Sequence, residues 1–208
     1  MRYERKYALD AIPEPLIKAQ LLQHPAGFRP LFPARQIHNI YFDTPEWTAF
    51  RDNEDGNPER VKFRLRWYGE QRQAINHPIL EAKSKNGELG KKQHFSLSKS
   101  FYLAEDLNGL LQEVQMLTRE NGFFHPVLYN TYLRSYWATP NQAFRVTIDS
   151  GLAYAPVFSS QLLYTQQQVM EIKYRADQAD EAAAIFQYFP FRQTKMSKYA
   201  LGVQLLWH

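Results

Sequence analysis

The segment Val61-Lys62-Phe63-Arg64-Leu65-Arg66-Trp67 sets a cation at every second residue, and side chains two apart share one face of an extended strand. Lys62, Arg64 and Arg66 therefore point one way, while Val61, Phe63, Leu65 and Trp67 point the other. The same parity recurs in Arg2, Glu4 and Lys6, in Glu81, Lys83 and Lys85, and in Tyr132, Arg134 and Tyr136. It recurs again in Arg145, Thr147 and Asp149, and in Glu171, Lys173 and Arg175. Collectively these faces combine several cations with single carboxylates. Guanidinium forks bind phosphate oxygens bidentately and lysines add point charges, so the chemistry these faces suit is the binding of a polyanion. The glutamates remain to hold a divalent cation against that anion, and carboxylate with phosphate oxygen favours Mg²⁺ or Mn²⁺.

Other chemistries lack their residues. With Cys 0 the chain has no disulfide, thiolate metal site or cysteine nucleophile. His24, His38, His77, His94, His125 and His208 follow no ligand spacing, so they are expected at the surface or in caps and not on zinc. Neither GxxxxGK[ST] nor GxGxxG occurs, so side chains and not a glycine-rich cradle would hold a nucleotide. Ser197, between Lys195 and Lys198, has no His or Asp beside it. It is expected as a helix N-cap, which is compatible with phosphate at that helix start. Tyr136-Trp137 and Trp67-Tyr68 are expected in the core, with base stacking as the competing use.

The elements that must position these residues follow from periodicity. Strands are predicted over 2–9, 35–42, 60–68, 79–85, 92–97, 126–138, 143–149 and 168–175. Helices are predicted over 13–24, 104–121, 178–188 and about 197–207, with a short helical turn at 45–51. The fold class is α+β, an antiparallel sheet with helices outside it. For any one strand, a solvated ionic face over an ordinary core is the usual arrangement. Taken together, helices can cover the apolar faces and leave a curled sheet with a charged interior, which makes sense only around an ionic ligand.

These residues resemble the triphosphate tunnel metalloenzymes, and among them the polyphosphate polymerase (VTC) domain of the vacuolar transporter chaperones. The resemblance spans nearly the whole chain. It is carried by Arg2-Tyr3-Glu4-Arg5-Lys6-Tyr7, Ile40-Tyr41-Phe42-Asp43-Thr44-Pro45, Lys62 to Gly69, Leu80-Glu81-Ala82-Lys83 and Lys91-Lys92. Tyr132-Leu133-Arg134, Arg145 to Asp149, Met170 to Tyr174 and Lys195 to Tyr199 complete it. It implies an eight-stranded antiparallel β-barrel tunnel over 1–208 as a single domain, in which basic residues grip triphosphate or polyphosphate. By resemblance the phosphate contacts are Lys6, Arg64, Arg66, Lys83, Lys92, Arg134, Arg145, Lys195 and Lys198, with Tyr132 and Ser197 donating hydrogen bonds. Glu171 matches the metal glutamate, and Glu4 is its companion. Lys91 competes with Lys92 for its place. The related CYTH enzymes open on Glu-x-Glu-x-Lys where this chain has Arg2, which counts against a second metal site and the hydrolytic branch. The length resembles the stand-alone bacterial form.

The implied reaction transfers the terminal phosphate of ATP to a growing inorganic polyphosphate chain with Mn²⁺ or Mg²⁺. Arg64, Arg66, Arg134, Arg145, Lys195 and Glu171 are its catalytic candidates. An inorganic triphosphatase or tripolyphosphatase, and a non-catalytic module binding polyphosphate or nucleic acid, are the alternatives. Glu171 is expected on metal, Glu81 as an ion-pair partner, and Glu4 as either. Nucleic acid is the less expected partner, because the cations recur beside carboxylates that repel a phosphodiester backbone. The 208 residues, 44% hydrophobic with a net charge of +4, suffice for a sizeable core. No apolar run approaches the roughly 18 residues of a membrane helix, and residues 1–6 open on charge with no secretory signal behind them. A cytoplasmic location is expected, with any membrane role supplied by a partner.

Overall fold

The computed structural model describes residues 2–70, 72, 74–86, 89–97, 100–102, 106–119 and 122–207. Strand β1 (Arg2–Leu9) leads into helix α1 (Glu14–Gln23), whose first turn holds Pro15 and Glu14. Pro fits there because the first helical N–H groups have no partner to lose, and an acidic residue suits the positive end of the helix. Next come β2 (Arg29–Asp43), α2 (Thr48–Glu54), β3 (Arg60–Tyr68), β4 (Ala74–Ile75), β5 (Ile79–Asn86) and β6 (Leu89–Ser96). They are followed by β7 (Phe101–Tyr102), α3 (Leu107–Thr118), β8 (His125–Ala138), β9 (Arg145–Pro156), β10 (Leu163–Tyr164) and β11 (Gln168–Arg175). Helices α4 (Ala179–Phe186) and α5 (Lys198–Trp207) end the described chain. One antiparallel sheet has the strand order β1-β11-β9-β8-β2-β3-β5-β6, with β10 added to β9. The class is α+β with eight strands in the main path, as expected.

Several boundaries differ from the sequence expectation. Strand β2 begins at Arg29 and not at Arg35, running through Pro30 and Pro33, which cannot donate to a ladder. Strand β9 runs on to Pro156 through Gly151, which adopts φ +61°. Helix α2 starts at Thr48 and not at Pro45, and the two-residue pair β4–β7 is too short to leave a periodic signal. The ends of the helix predicted over 104–121 lie outside the described residues, as does His208.

The chain forms two compact units, the first made of 1–35, 132–152 and 164–196, the second of 36–131, 153–163 and 197–208. In the first unit, β1, β11 and β9 alternate as the parity requires. Tyr7, Met170, Ile172, Val146 and Ile148 share a core with Ile17 and Leu21 of α1 and Ala182 of α4. The outer edge of β1 is occupied: the Thr194 N–H donates to the Lys6 carbonyl, and the Ala8 N–H donates to Thr194 Oγ1, each at 2.8 Å. In the second unit Ile40, Phe42, Phe63, Leu65, Trp67, Leu80 and Ala82 form a core with Leu110 and Val114 of α3. Burying such a large apolar side chain contributes about 1.5–3 kcal/mol. Helices α1 and α4 of the first unit and α3 of the second thus take apolar strand faces, whereas α5 lies on the ionic side of the second unit, its Tyr199 ring 5.2 Å from that of Tyr41, the ladder partner of Arg64.

His38 corrects the expectation of a surface or capping histidine. It is 3% exposed, stacked on Trp67 and Tyr129, with Nδ1 2.6 Å from the Tyr129 hydroxyl and Nε2 2.8 Å from the Gly69 carbonyl. Burial lowers its pKa, opposed by the Gly69 carbonyl. His24 is the C-cap of α1 and is buried as well.

Candidate functional site

In the second unit the ladders fix which charges meet. Tyr41, Arg64, Glu81 and His94 lie in one cross-strand row through β2, β3, β5 and β6, and Lys62, Lys83 and Lys92 in the next. Directly opposed residues share a face, so the row pairing gathers cations around one carboxylate. Glu81, 4% exposed, accepts from Arg64 Nε at 2.5 Å and from Lys92 Nζ at 2.7 Å, with Arg66 Nη1 at 3.8 Å. Burial would raise its pKa, but Arg64, Arg66 and Lys92 outweigh burial and pull it down to about 2. Burial lowers the pKa of Lys92, with the Glu81 carboxylate acting against it. Arg66 is aimed by a buried relay: its Nε donates to Asn39 Oδ1 at 2.9 Å, Asn39 donates to Asn130, and Asn130 donates to the Ala153 carbonyl.

Beside this row lies the start of α5. Ser197 Oγ accepts the Ala200 N–H at 3.3 Å, which makes Ser197 the expected cap, and it also accepts from Lys62 Nζ at 3.1 Å. Asn53 is a second acceptor for Lys62. Lys198 is buried, whereas Lys83 and Lys92 are exposed. Asp43, fully buried, anchors both helices of this region. Its carboxylate accepts from the Thr44, Ala49 and Phe50 N–H groups at 2.8, 2.8 and 3.0 Å, and from the Tyr199 hydroxyl. Burial and this carboxylate both raise the Tyr199 pKa.

In the first unit the rows run Glu4, Lys173 and Arg145, then Lys6, Glu171 and Thr147. Four of these side chains form a closed ionic square. Lys6 Nζ lies 3.1 Å from Glu4 and 3.7 Å from Glu171, and Lys173 Nζ lies 3.5 and 3.3 Å from the same two residues. Arg134 is bidentate on buried Asp149 at 2.5 and 2.7 Å, with its guanidinium 5.3 Å from the Tyr132 ring centroid. Burial works against the Arg134 cation, yet Tyr132, Asp149 and Glu171 outweigh it and raise the pKa. Arg145 is exposed and donates to Gln142 at 3.2 Å, and Lys195 is exposed.

Within its own unit, therefore, each of Lys6, Glu4 and Glu171, and each of Arg64, Arg66 and Lys92, meets the others as grouped above. Lys92, and not its neighbour Lys91, bonds Glu81. The sequence expectation did not single out Lys62, Lys173, Asp43 or Asp149 as site residues. Lys62 and Lys173 were signalled by sharing parity with Arg66 and Glu171, whereas nothing local marks the partners of Asp43. Trp67 and Trp137 are core residues, as expected, whereas Tyr68 corrects that expectation at 40% exposed and Tyr136 is only partly buried.

Among the described residues no group of three or more His, Asp or Glu converges on one point. Two carboxylates do: one ammonium reaches an oxygen of both Glu4 and Glu171. In the same row, Thr147 Oγ1 is buried with no hydrogen-bond partner among the described residues. Two hard carboxylates and a spare hydroxyl fit Mg²⁺ or Mn²⁺, which keep waters and substrate oxygens in their remaining positions.

This fold is shared by known proteins. The VTC domain model matches residues 1–207, and the chain belongs to that family. Among solved structures, a candidate adenylate cyclase from Vibrio parahaemolyticus has the same fold at a TM-score of 0.53 and 16% identity, covering 96% of this chain and 97% of that one. A candidate adenylyl cyclase from Hippeastrum, described as having dominant triphosphatase activity, superposes at 0.55 with 14% identity, covering 98% and 96%. No curated protein sequence matches significantly. No helix among the described residues is long and apolar enough to cross a membrane.

Proposed function

We propose that this chain is a polyphosphate polymerase that moves the terminal phosphate of ATP onto a growing inorganic polyphosphate chain. The observation that carries the proposal is the ionic face of the second unit. There Lys62, Arg64, Arg66, Lys83 and Lys92 share one strand face with the buried carboxylate Glu81. Such an excess of cations, fixed before any ligand arrives, is an anion site whose energy is released on binding phosphate. Ser197 and Lys198 add a hydroxyl and an ammonium at the start of α5. In the first unit, Lys6, Tyr132, Arg134, Arg145 and Lys195 serve phosphate, and Glu171 with Glu4 holds Mn²⁺ or Mg²⁺. The metal, when bound, neutralises charge on phosphate oxygens. That 1–208 acts as a single domain is part of the proposal, supported by one family model reaching across both units.

Phosphoryl transfer asks for positioning and charge stabilisation more than for acid–base chemistry. In a polymerase the acceptor is a terminal phosphate oxygen already carrying negative charge, so no general base is required. Glu81, held ionised by three cations, is a poor base. Hydrolysis is the second reading, favoured by the triphosphatase activity described for the Hippeastrum protein. The two separate in one experiment, anion-exchange profiling of products after incubation with ATP or tripolyphosphate and Mn²⁺ or Mg²⁺. A lengthening polymer from ATP is expected, lost in Glu171→Gln while polyphosphate binding survives, and weakened together with binding in Arg66→Ala. Orthophosphate from tripolyphosphate with no polymer from ATP would assign a triphosphatase. Binding without either product would assign a sensor.

A further inference from the structure

The ionic square of the first unit contains two ammonium groups that are not equivalent. Lys6 is 26% exposed at its side chain, sits opposite Glu171 in the ladder, and also donates to the Met196 carbonyl at 3.4 Å. Lys173 is 41% exposed, and among the described residues its ammonium has no acceptor besides Glu4 and Glu171. Its position, within 3.5 Å of one oxygen from each carboxylate, is that of a cation bridging them. The stem is flexible and the head borders water, so it can leave at little cost.

We propose that Lys173 is a built-in counter-ion, seated between Glu4 and Glu171 when no metal is present and displaced by the divalent cation that takes its place. The inference rests on the metal role assigned to Glu171 and Glu4 above. It follows that Lys173 positions the two carboxylates before metal arrives and sets how tightly metal binds. The ammonium stabilises the metal-free state, and any position it keeps nearby afterwards repels the bound dication. Removing it should therefore tighten metal binding. Lys6 does not act this way, because its second anchor at Met196 holds it outside the exchange.

Calorimetric titration of Mn²⁺ alone into the full chain tests this, with folding of each variant verified by circular dichroism. Lys173→Met and Lys173→Gln should bind Mn²⁺ tighter than wild type by about two- to fivefold, the scale of a partly exposed ion pair. Lys18→Met makes the same change in net charge at the Lys18–Glu14 pair of α1, and should leave the affinity unchanged. Glu171→Gln should abolish binding. Wild-type affinity in both Lys173 variants, or equal tightening in Lys18→Met, would overturn the exchange while leaving the metal role intact. Undiminished Mn²⁺ binding in Glu171→Gln, or no binding by the wild type, would remove the metal role and the exchange with it.

Discussion

Glu81 shows how one residue type acquires its meaning from neighbours. Three cations lie within 3.8 Å of a carboxylate that is 4% exposed, so the group cannot protonate without leaving them to repel one another. Because the folded pKa is about 2, below the ordinary value of 4.5, the contribution of Glu81 is fully present above pH 4.5. It is lost as pH falls from 4.5 through 2, and only below the folded pKa do folded and unfolded chains bind the proton alike. Glu81→Gln should therefore cost about 1–3 kcal/mol at neutral pH, and the gap to wild type in urea melts should close as pH falls through 2. The variant should also gain more stability from tripolyphosphate than wild type, because the anion replaces the missing charge. A uniform gap across pH would show that packing, not charge, sets the loss. That Glu81 would pair with cations was legible from its strand parity. Which cations it meets was not, because the offset between β3, β5 and β6 is set by the ladder.

At the scale of elements, α5 depends on two contacts far apart in sequence. The Tyr199 hydroxyl donates to Asp43, and Gly202 lets the helix approach Leu128 and Tyr154 so closely that an added Cβ would lie 2.5 Å from each. Tyr199→Phe removes one donor from a buried carboxylate that keeps three backbone N–H groups, and should lower stability by about 1 kcal/mol, read as a shift in the urea midpoint. Gly202→Ala gains about 1 kcal/mol of helix propensity. It also drives a methyl group into side chains that are wholly buried, at a cost of about 1–3 kcal/mol. The net effect expected is a lower melting temperature, and a rise would mean that α5 shifts freely. The helix was predictable over about 197–207 from its apolar spacing and Ser197 cap. The need for glycine at 202 was not, since it arises from residues about 50 and 75 positions earlier.

For the molecule as a whole, clustered cations make ligand binding a stability effect. Tripolyphosphate at about 100 times its dissociation constant should raise the unfolding free energy by roughly 2.7 kcal/mol, measured as a rise in melting temperature that shrinks with added salt. Single-stranded RNA at equal charge should do less, since its phosphodiester backbone cannot follow cations set beside Glu81, Glu4 and Glu171. A larger shift with RNA would transfer the assignment to a nucleic-acid module. The sequence by itself determined the main stretches of the eight long strands and which of their residues share a face, because side chains alternate with a period of two whatever the strand pairs with. It also carried the family through motifs whose order survives without any three-dimensional knowledge. Only tertiary structure decided the rest. Register placed Lys173 between Glu4 and Glu171, burial turned His38 into a core residue, and long-range contacts bound Arg134 to Asp149 and Tyr199 to Asp43. The physical reason is that alternation is a local property of the backbone, whereas partner choice and desolvation depend on residues that folding brings together from distant parts of the chain.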